Sequence, residues 1–222
     1  PNNPVITYSY DPYGNLISMT DARGNRTSKT YDTVVHAYPI ETINAIGDKT
    51  TLTYDLKTGQ ILTLTDANGQ TTENIYDPLG RLIRVIGPND TEAYPAIIYE
   101  YDLSASPVKI TTKKKLSNSP ASLDYPDYSL TDSFYDGLGR LVQTKSPAED
   151  DPQSNQPRQV VSDTVKYDYR GKVKESFLPY FDNADINYSI PGPSLKKTVF
   201  DYDAPGRLIR IDNPDATFST LS

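Results

Sequence analysis

Cysteine and tryptophan are absent from this 222-residue chain, and methionine and histidine occur once each. The missing cysteine excludes disulfides, thiolate metal sites and cysteine nucleophiles, and leaves the redox compartment open. No apolar run approaches the ~20 residues that a membrane helix needs, so no membrane span is expected. With a single histidine, any Ser-His-Asp or histidine-metal site has to use His36. Positive charge is also scarce: 22 Lys and Arg stand against 29 Asp and Glu, a net charge of −7. Such a chain repels polyanions, and nucleic acid is not an expected partner. The one basic run, Lys113 to Lys115, reads as a solvated strand end or loop. The opening Pro1-Asn2-Asn3-Pro4 falls in mid-pattern without a signal peptide, and the chain is expected to be part of something longer.

What is abundant is tyrosine, at 18 residues, in a chain with only 36% hydrophobic residues. A buried tyrosine needs a partner for its hydroxyl. That suits a thin sheet, in which one end of each ring stays near polar groups, better than a thick apolar core.

The tyrosines recur in a pattern. Tyr-Asp pairs stand at Tyr10-Asp11, Tyr31-Asp32, Tyr54-Asp55, Tyr76-Asp77, Tyr101-Asp102, Tyr135-Asp136, Tyr167-Asp168 and Tyr202-Asp203, at intervals of 21, 23, 22, 25, 34, 32 and 35 residues. Self-similarity at such a period marks a repeat architecture. The whole of 1–222 reads as one segment, with regular repeats of about 22 residues over 1–102 and longer ones with loop insertions over 103–222. Six of the eight pairs lead into a glycine: Gly14, Gly59, Gly80, Gly139, Gly171 and Gly206. Two residues after each glycine comes an aliphatic, for example Leu16, Ile61 and Leu82.

The mechanics of this pattern are those of a hairpin. Asp caps a type I turn, Pro pre-sets the next φ, and Gly takes the left-handed conformation that follows, giving a hairpin with a bulge. Segments such as Val5 to Tyr10 and Leu82 to Ile86 are the expected strands. Second turns appear at Thr20–Asn25 and Thr65–Gln70, and elsewhere Pro88, Pro147, Pro179 or Pro214 follows eight residues after the glycine. Proline stops a strand because it cannot donate to the ladder. Nothing has helical period, and β-branched and aromatic residues fill the strand positions. The expected fold is therefore all-β: tandem antiparallel hairpins forming an extended, curved sheet in which each new strand pairs with the last. Alternation puts Ile17, Met19, Leu62, Leu64, Ile83, Val85, Ile209 and Ile211 on one side and Ser18, Thr63, Arg84 and Arg210 on the other. The aliphatic row is expected to pack against an adjoining layer and the polar row to be wetter. Residues 113–129, 146–157 and 179–194 read as long loops at the sheet's rims.

YDPLGRLIRVIGP, YDAPGRLIRIDNP and the stretch from Tyr31 to Asp55 closely resemble the YD repeats of the Rhs family, as found in the B components of bacterial insecticidal Tc toxins and related secreted proteins. The resemblance runs over essentially all of the chain. It implies a long β-sheet that spirals into a hollow shell enclosing a toxic polypeptide. It further implies a bacterial protein that is secreted or sits at the cell surface. The implied partners are the rest of the parent Rhs chain, the enclosed polypeptide cargo and a toxin-complex partner subunit. The family's aspartyl self-cleavage motif, Asp-Pro-x-Gly-Leu, is not met: Asp77-Pro78-Leu79-Gly80 is followed by Arg81. Eight markers are too few to close a cavity.

The remaining candidates for chemistry are weak. His36 lies in Val34-Val35-His36-Ala37-Tyr38-Pro39 with no motif partner, and a structural role is expected. The marker carboxylates have a sufficient role in turn capping, and no shaped pocket is signalled for acid–base work. Asp21, Asn25, Asp66 and Asn68 lie in glycine turns but do not form the calcium-loop motif. Gly137-Leu138-Gly139 lacks the third glycine and the helix of a nucleotide fingerprint. No catalytic centre, cofactor or metal is expected, and the chain reads as a structural module of a secreted toxin-like protein rather than an enzyme. The alternative is a cell-surface module that binds carbohydrate or protein with its sheet and rim loops.

Overall fold

In the computed structural model, residues 4–116 and 128–221 are described. Each marker reverses the chain within a few residues. At Asp77 the backbone N–H donates to the Arg81 carbonyl at 2.9 Å, and the Gly80 N–H returns to the Asp77 carbonyl at 2.9 Å. The strands on either side are thereby brought into antiparallel register before any side chain has packed. No helix forms among the described residues.

The chain divides into two compact units, with the boundary between Ile98 and Tyr99. The first holds β1 (Thr7–Tyr10), β2 (Leu16–Thr20), β3 (Arg26–Tyr31), β4 (Pro39–Ile43), β5 (Lys49–Tyr54), β6 (Ile61–Thr65), β7 (Thr71–Tyr76), β8 (Leu82–Ile86) and the start of β9 (Ile97–Asp102). These strands pair in chain order, each antiparallel to the last. A bulge falls at the marker tyrosine of each hairpin, for example between Ser9 and Tyr10 and between Ile75 and Tyr76. The first strand is shorter than the sequence suggested, beginning at Thr7 rather than Val5.

The aliphatic row is not the covered one in this unit: Ile17, Ile83 and Val85 are only half-buried. Met19, Leu62 and Leu64 are each 37% exposed, while Ser18 is 7% exposed. Thr63 and Arg84 are half-buried. Short Ser and Thr side chains sit low between their cross-strand neighbours, as where the Thr53 and Thr63 hydroxyls meet at 2.6 Å. Met and Leu stand up from the sheet, and no second layer covers them among the described residues of the unit. Burial here is that of a single-layer sheet: apart from Ser18, the buried side chains are Asp32, Ile86 and Pro95.

The second unit holds the rest of β9, then β10 (Val108–Lys115), β11 (Tyr128–Tyr135), β12 (Leu141–Pro147), β13 (Arg158–Ser162), β14 (Val165–Tyr167), β15 (Val173–Phe177), β16 (Tyr180–Asn183), β17 (Lys197–Tyr202), β18 (Leu208–Asp212) and β19 (Phe218–Thr220). The simple meander breaks here. β13 pairs with β16, and β14, β15, β17, β18 and β19 form a separate five-stranded sheet. The chain leaves one sheet for the other at Asp163, which has φ of 51°, and Thr164, which is 1% exposed and whose carbonyl accepts from the Phe177 N–H at 2.9 Å. All three expected rim loops are partly strand: in the stretch 146–157, Ser146 and Pro147 end β12, paired with Val160 and Gln159 of β13. Lys113 to Lys115 complete β10, paired with Leu130 to Tyr128 of β11. Tyr180 to Asn183 form β16 against β13. The remainder of the expected loop at 113–129, from 117 to 127, lies outside the described residues. A true core forms in this unit from Tyr128, Phe134, Val142, Val161 and Phe177. Ile209 nevertheless remains 41% exposed, and Arg210 on the other face is half-buried, as in the first unit.

Candidate functional site

The marker aspartates are turn caps. Asp77 Oδ1 accepts the Leu79 and Arg81 N–H groups, both at 2.9 Å, and its Oδ2 takes Arg81 Nε at 2.7 Å and Nη2 at 2.6 Å. The Arg81 N–H, outweighing partial desolvation, and the Arg81 guanidinium hold this carboxyl below the usual range. Asp11, Asp136, Asp168 and Asp203 accept from the residues two or four positions on in the same way. Asp55 accepts the Lys57 N–H, and Asp102 accepts the Ser104 and Ala105 N–H groups. A carboxylate so engaged has little capacity left for proton transfer.

Gly14, Gly59, Gly80, Gly139, Gly171 and Gly206 all have φ between 75° and 90°. Gly80 shows two reasons for glycine at once. Its φ of 80° is strained for any residue with a Cβ, and an added Cβ would stand 2.9 Å from Gln60 Nε2. That amide donates to the Gly80 carbonyl, so the residue after one turn glycine braces the next turn. Asn15 does the same to the His36 carbonyl at 2.7 Å.

The marker tyrosines link neighbouring hairpins. Tyr31, Tyr54, Tyr76, Tyr167 and Tyr202 donate their hydroxyls to the carbonyls of Leu16, Pro39, Ile61, Leu141 and Val173, at 3.4, 3.1, 3.0, 3.4 and 3.0 Å. In every case the acceptor is the first residue of a preceding strand. Tyr101 lies in β9 and Tyr135 ends β11, while Tyr10, in the first hairpin, is exposed. Sequence reasoning explained why a tyrosine hydroxyl needs a partner but missed which one. The signal was the constant spacing of 15 residues between Leu16 and Tyr31 and between Ile61 and Tyr76.

Asp32 has no following glycine, and its turn is built differently. The side chain is buried, and its two oxygens accept the N–H groups of Val34, Val35, His36, Ala37 and Tyr38 at 2.6–3.2 Å. Burial alone would raise its pKa, but these backbone donors prevail and hold it far below the usual carboxylate range. His36 closes this loop with φ of 54° and stacks on Tyr13, ring centroids 3.9 Å apart. Asp21 and Asp66 accept from backbone N–H groups of their own turns. Among the described residues, no group of three or more His, Cys, Asp or Glu is placed to hold a metal ion.

A polar core in the second unit had no sequence motif. Gln143 is fully buried and Lys145 is 1% exposed, side by side on β12. Gln143 Oε1 accepts the Ser189 N–H at 3.0 Å, and its Nε2 donates to the Ser189 carbonyl at 2.9 Å. Lys145 Nζ donates to Ser189 Oγ at 2.6 Å, and that hydroxyl donates to Asp182 at 2.6 Å. Burial pushes the Lys145 pKa down, against the pull of Asp182, Asp185 and Asp132. Gln159 Nε2 donates to the carbonyls of Asn183 and Asp185 at 2.6 and 2.7 Å.

Comparison with known proteins finds the same pattern and geometry elsewhere. Residues 1–33 and 56–92 match the RHS Repeat family. Those two stretches, both in the first unit, carry the RHS Repeat pattern. No curated protein sequence matches it. Among solved structures, the repeat sheet is similar to the crystal structure of TcdB2-TccC3, with a TM-score of 0.78 and 18% identity over 97% of this chain and 13% of the other. TcdB2-TccC3 without its hypervariable C-terminal region is similar at a TM-score of 0.76 and 15% identity, over 97% of this chain and 15% of the other. The chain thus shares the fold of these structures while spanning about an eighth to a seventh of their length.

Proposed function

We propose that this chain is a stretch of wall: a structural RHS-repeat sheet that, within a secreted bacterial toxin-like protein, helps to enclose and carry a polypeptide cargo. It does so without a catalytic centre of its own. The observation that carries this reading is where the recurring residues spend their chemistry. Marker aspartates are consumed in capping turns, and marker tyrosines in joining one hairpin to the next. Repeats stabilised by their neighbours in this way form extended surfaces rather than a shaped pocket. The fold shared with TcdB2-TccC3 over 97% of the chain supports the same context. The partners on this reading are the rest of the parent chain, the enclosed polypeptide and a toxin-complex subunit.

The test is made on the full-length parent. The enclosed segment should resist protease until the wall is opened by denaturant, and His36→Ala should leave that protection and any hydrolytic background unchanged. Cleavage of the segment in the intact parent at the rate of an unfolded peptide would overturn the enclosing role. Hydrolysis that depended on His36 would overturn the non-catalytic one.

A further inference from the structure

The polar core of the second unit grips its own chain in an unusual way. After β16 the backbone from Ala184 to Ile190 forms neither strand nor helix, yet it lies across the face formed by β11, β12 and β13. Its hold is made of hydrogen bonds to backbone. Gln143 pairs with both the N–H and the C=O of Ser189, as a neighbouring strand would, and Gln159 takes the carbonyls of Asn183 and Asp185. Only two side chains of the strap are read. Tyr188 packs edge-on against the buried ring of Phe134, centroids 5.9 Å apart, and Ser189 offers its hydroxyl to Lys145. The aliphatic side chains of the strap point away: Ile186 is 61% and Ile190 83% exposed.

A buried glutamine and a buried lysine left without partners would cost far more than an exposed pair. This face therefore requires an occupant, but the groups that hold it are nearly blind to sequence. An amide that bonds a peptide N–H and C=O accepts any residue there. We propose that the face of β11–β13 bearing Phe134, Gln143, Lys145 and Gln159 is a docking site for an extended polypeptide segment with an aromatic residue followed by Ser or Thr. Its own Ala184–Ile190 strap fills this site in cis. This rests on the wall reading above and gives the wall a defined point of attachment for the chain it carries.

The experiment uses the whole chain with Tyr188→Gly and Ser189→Gly, which loosens the strap while keeping its length. A fluorescent synthetic peptide with the sequence of residues 183–190 is titrated in and followed by anisotropy. Saturable binding is expected, weakened by about tenfold or more when Gln143→Leu is added or when the peptide's serine is replaced by alanine. Absence of binding by a variant that keeps its strand spectrum overturns the proposal. Should the variant fail to fold, amide hydrogen exchange on the unaltered chain decides. The Ser189 N–H should exchange through local opening, faster than the Phe134 and Val142 amides beneath it. Equal protection would make the strap a permanent part of the core and overturn the proposal. Loss of protease protection in the parent would instead strike at the wall reading, whatever the peptide does.

Discussion

The two units are built from one repeat and stabilised in two ways. In the first, the sheet is a single layer in which Met19, Leu62 and Leu64 are more than a third exposed. Its order comes from the backbone: capped turns, bulges at the marker tyrosines, and the Tyr54 and Tyr76 hydroxyls reaching into preceding strands. In the second, longer connections let the chain fold back on itself. Phe134 is 2% exposed and Val161 fully buried, and Gln143 and Lys145 become core residues. The equivalent positions on β2 are Ser18 and Thr20, and on β6 Thr63 and Thr65. One strand position thus serves as a short hydroxyl in an open wall and as a long polar side chain where a strap covers the sheet. The lengthened period after Asp102 supplies the residues that do the covering.

The sharpest test of this contrast is core truncation. Phe134→Ala should destabilise the second unit by about 3–5 kcal/mol, the range for removing a buried aromatic ring. Leu62→Ala in the first unit removes a side chain already 37% exposed and should cost about 1 kcal/mol or less. Denaturant unfolding read by hydrogen exchange separates the two units. Equal costs at the two sites would mean that the first unit holds a core as effective as the second.

Turn positions were legible in the sequence because their causes are local. The five residues from Asp77 to Arg81 contain every group the reversal needs, and the strand from Leu82 to Ile86 follows from it. Side orientation was not legible. Alternation separates Ile17 and Met19 from Ser18 correctly, but which row is covered depends on whether another layer exists, and no pattern within one strand carries that. The polar core was hidden for a related reason. Gln143 and Lys145 occupy ordinary strand positions, and their partners, Ser189 and Asp182, lie in a stretch whose Pro, Asn and Asp content reads as loop. Asp32 fell between these cases: its place as a turn cap was visible, but the five N–H groups it gathers depend on how the residues from Thr33 to Tyr38 fold around it.

If backbone geometry carries the first unit, turn glycines there should matter more than its aliphatic side chains. Gly80→Ala should cost roughly 1–2 kcal/mol, because a Cβ is strained in the left-handed region, and it would also crowd Gln60 Nε2 at 2.9 Å. Comparing its unfolding midpoint with that of Leu62→Ala sets the two contributions side by side. A neutral Gly80→Ala would remove the basis for the contrast.

Acid should also act on the first unit through Asp32. Its folded-state pKa lies far below the unfolded value of about 3.9. Above that value both states are deprotonated and the stabilisation is complete. As pH falls below about 4 the unfolded chain binds a proton that the folded carboxylate does not, so stability declines toward the folded pKa. Asp32→Asn should be less stable at neutral pH and show a flatter decline in acid than the unaltered chain, measured by denaturant melts at pH 7 and pH 3. An unchanged slope would mean that the five backbone donors do not hold the charge in solution.

The smallest effect concerns a turn that follows the shared geometry without the usual residue. Between β18 and β19 in the second unit, the Asn213 N–H donates to the Thr217 carbonyl at 2.8 Å and the Ala216 N–H to the Asn213 carbonyl at 3.1 Å. These are the bonds that Asp21 and Gly24 make in the first unit. Ala216 therefore stands where the other turns place glycine, with φ of 67°. Alanine there bears a left-handed penalty of about 1–2 kcal/mol. Glycine would relieve it but give the unfolded chain more freedom, a loss of about 0.4–1 kcal/mol. Ala216→Gly should thus stabilise the hairpin by about 0.5–1 kcal/mol, visible as slower exchange of the Ile211 and Thr220 amides. Faster exchange would show that the β18–β19 turn does not share the strand-reversal geometry of the first unit, and that the repeat changes at its turns as well as in its core.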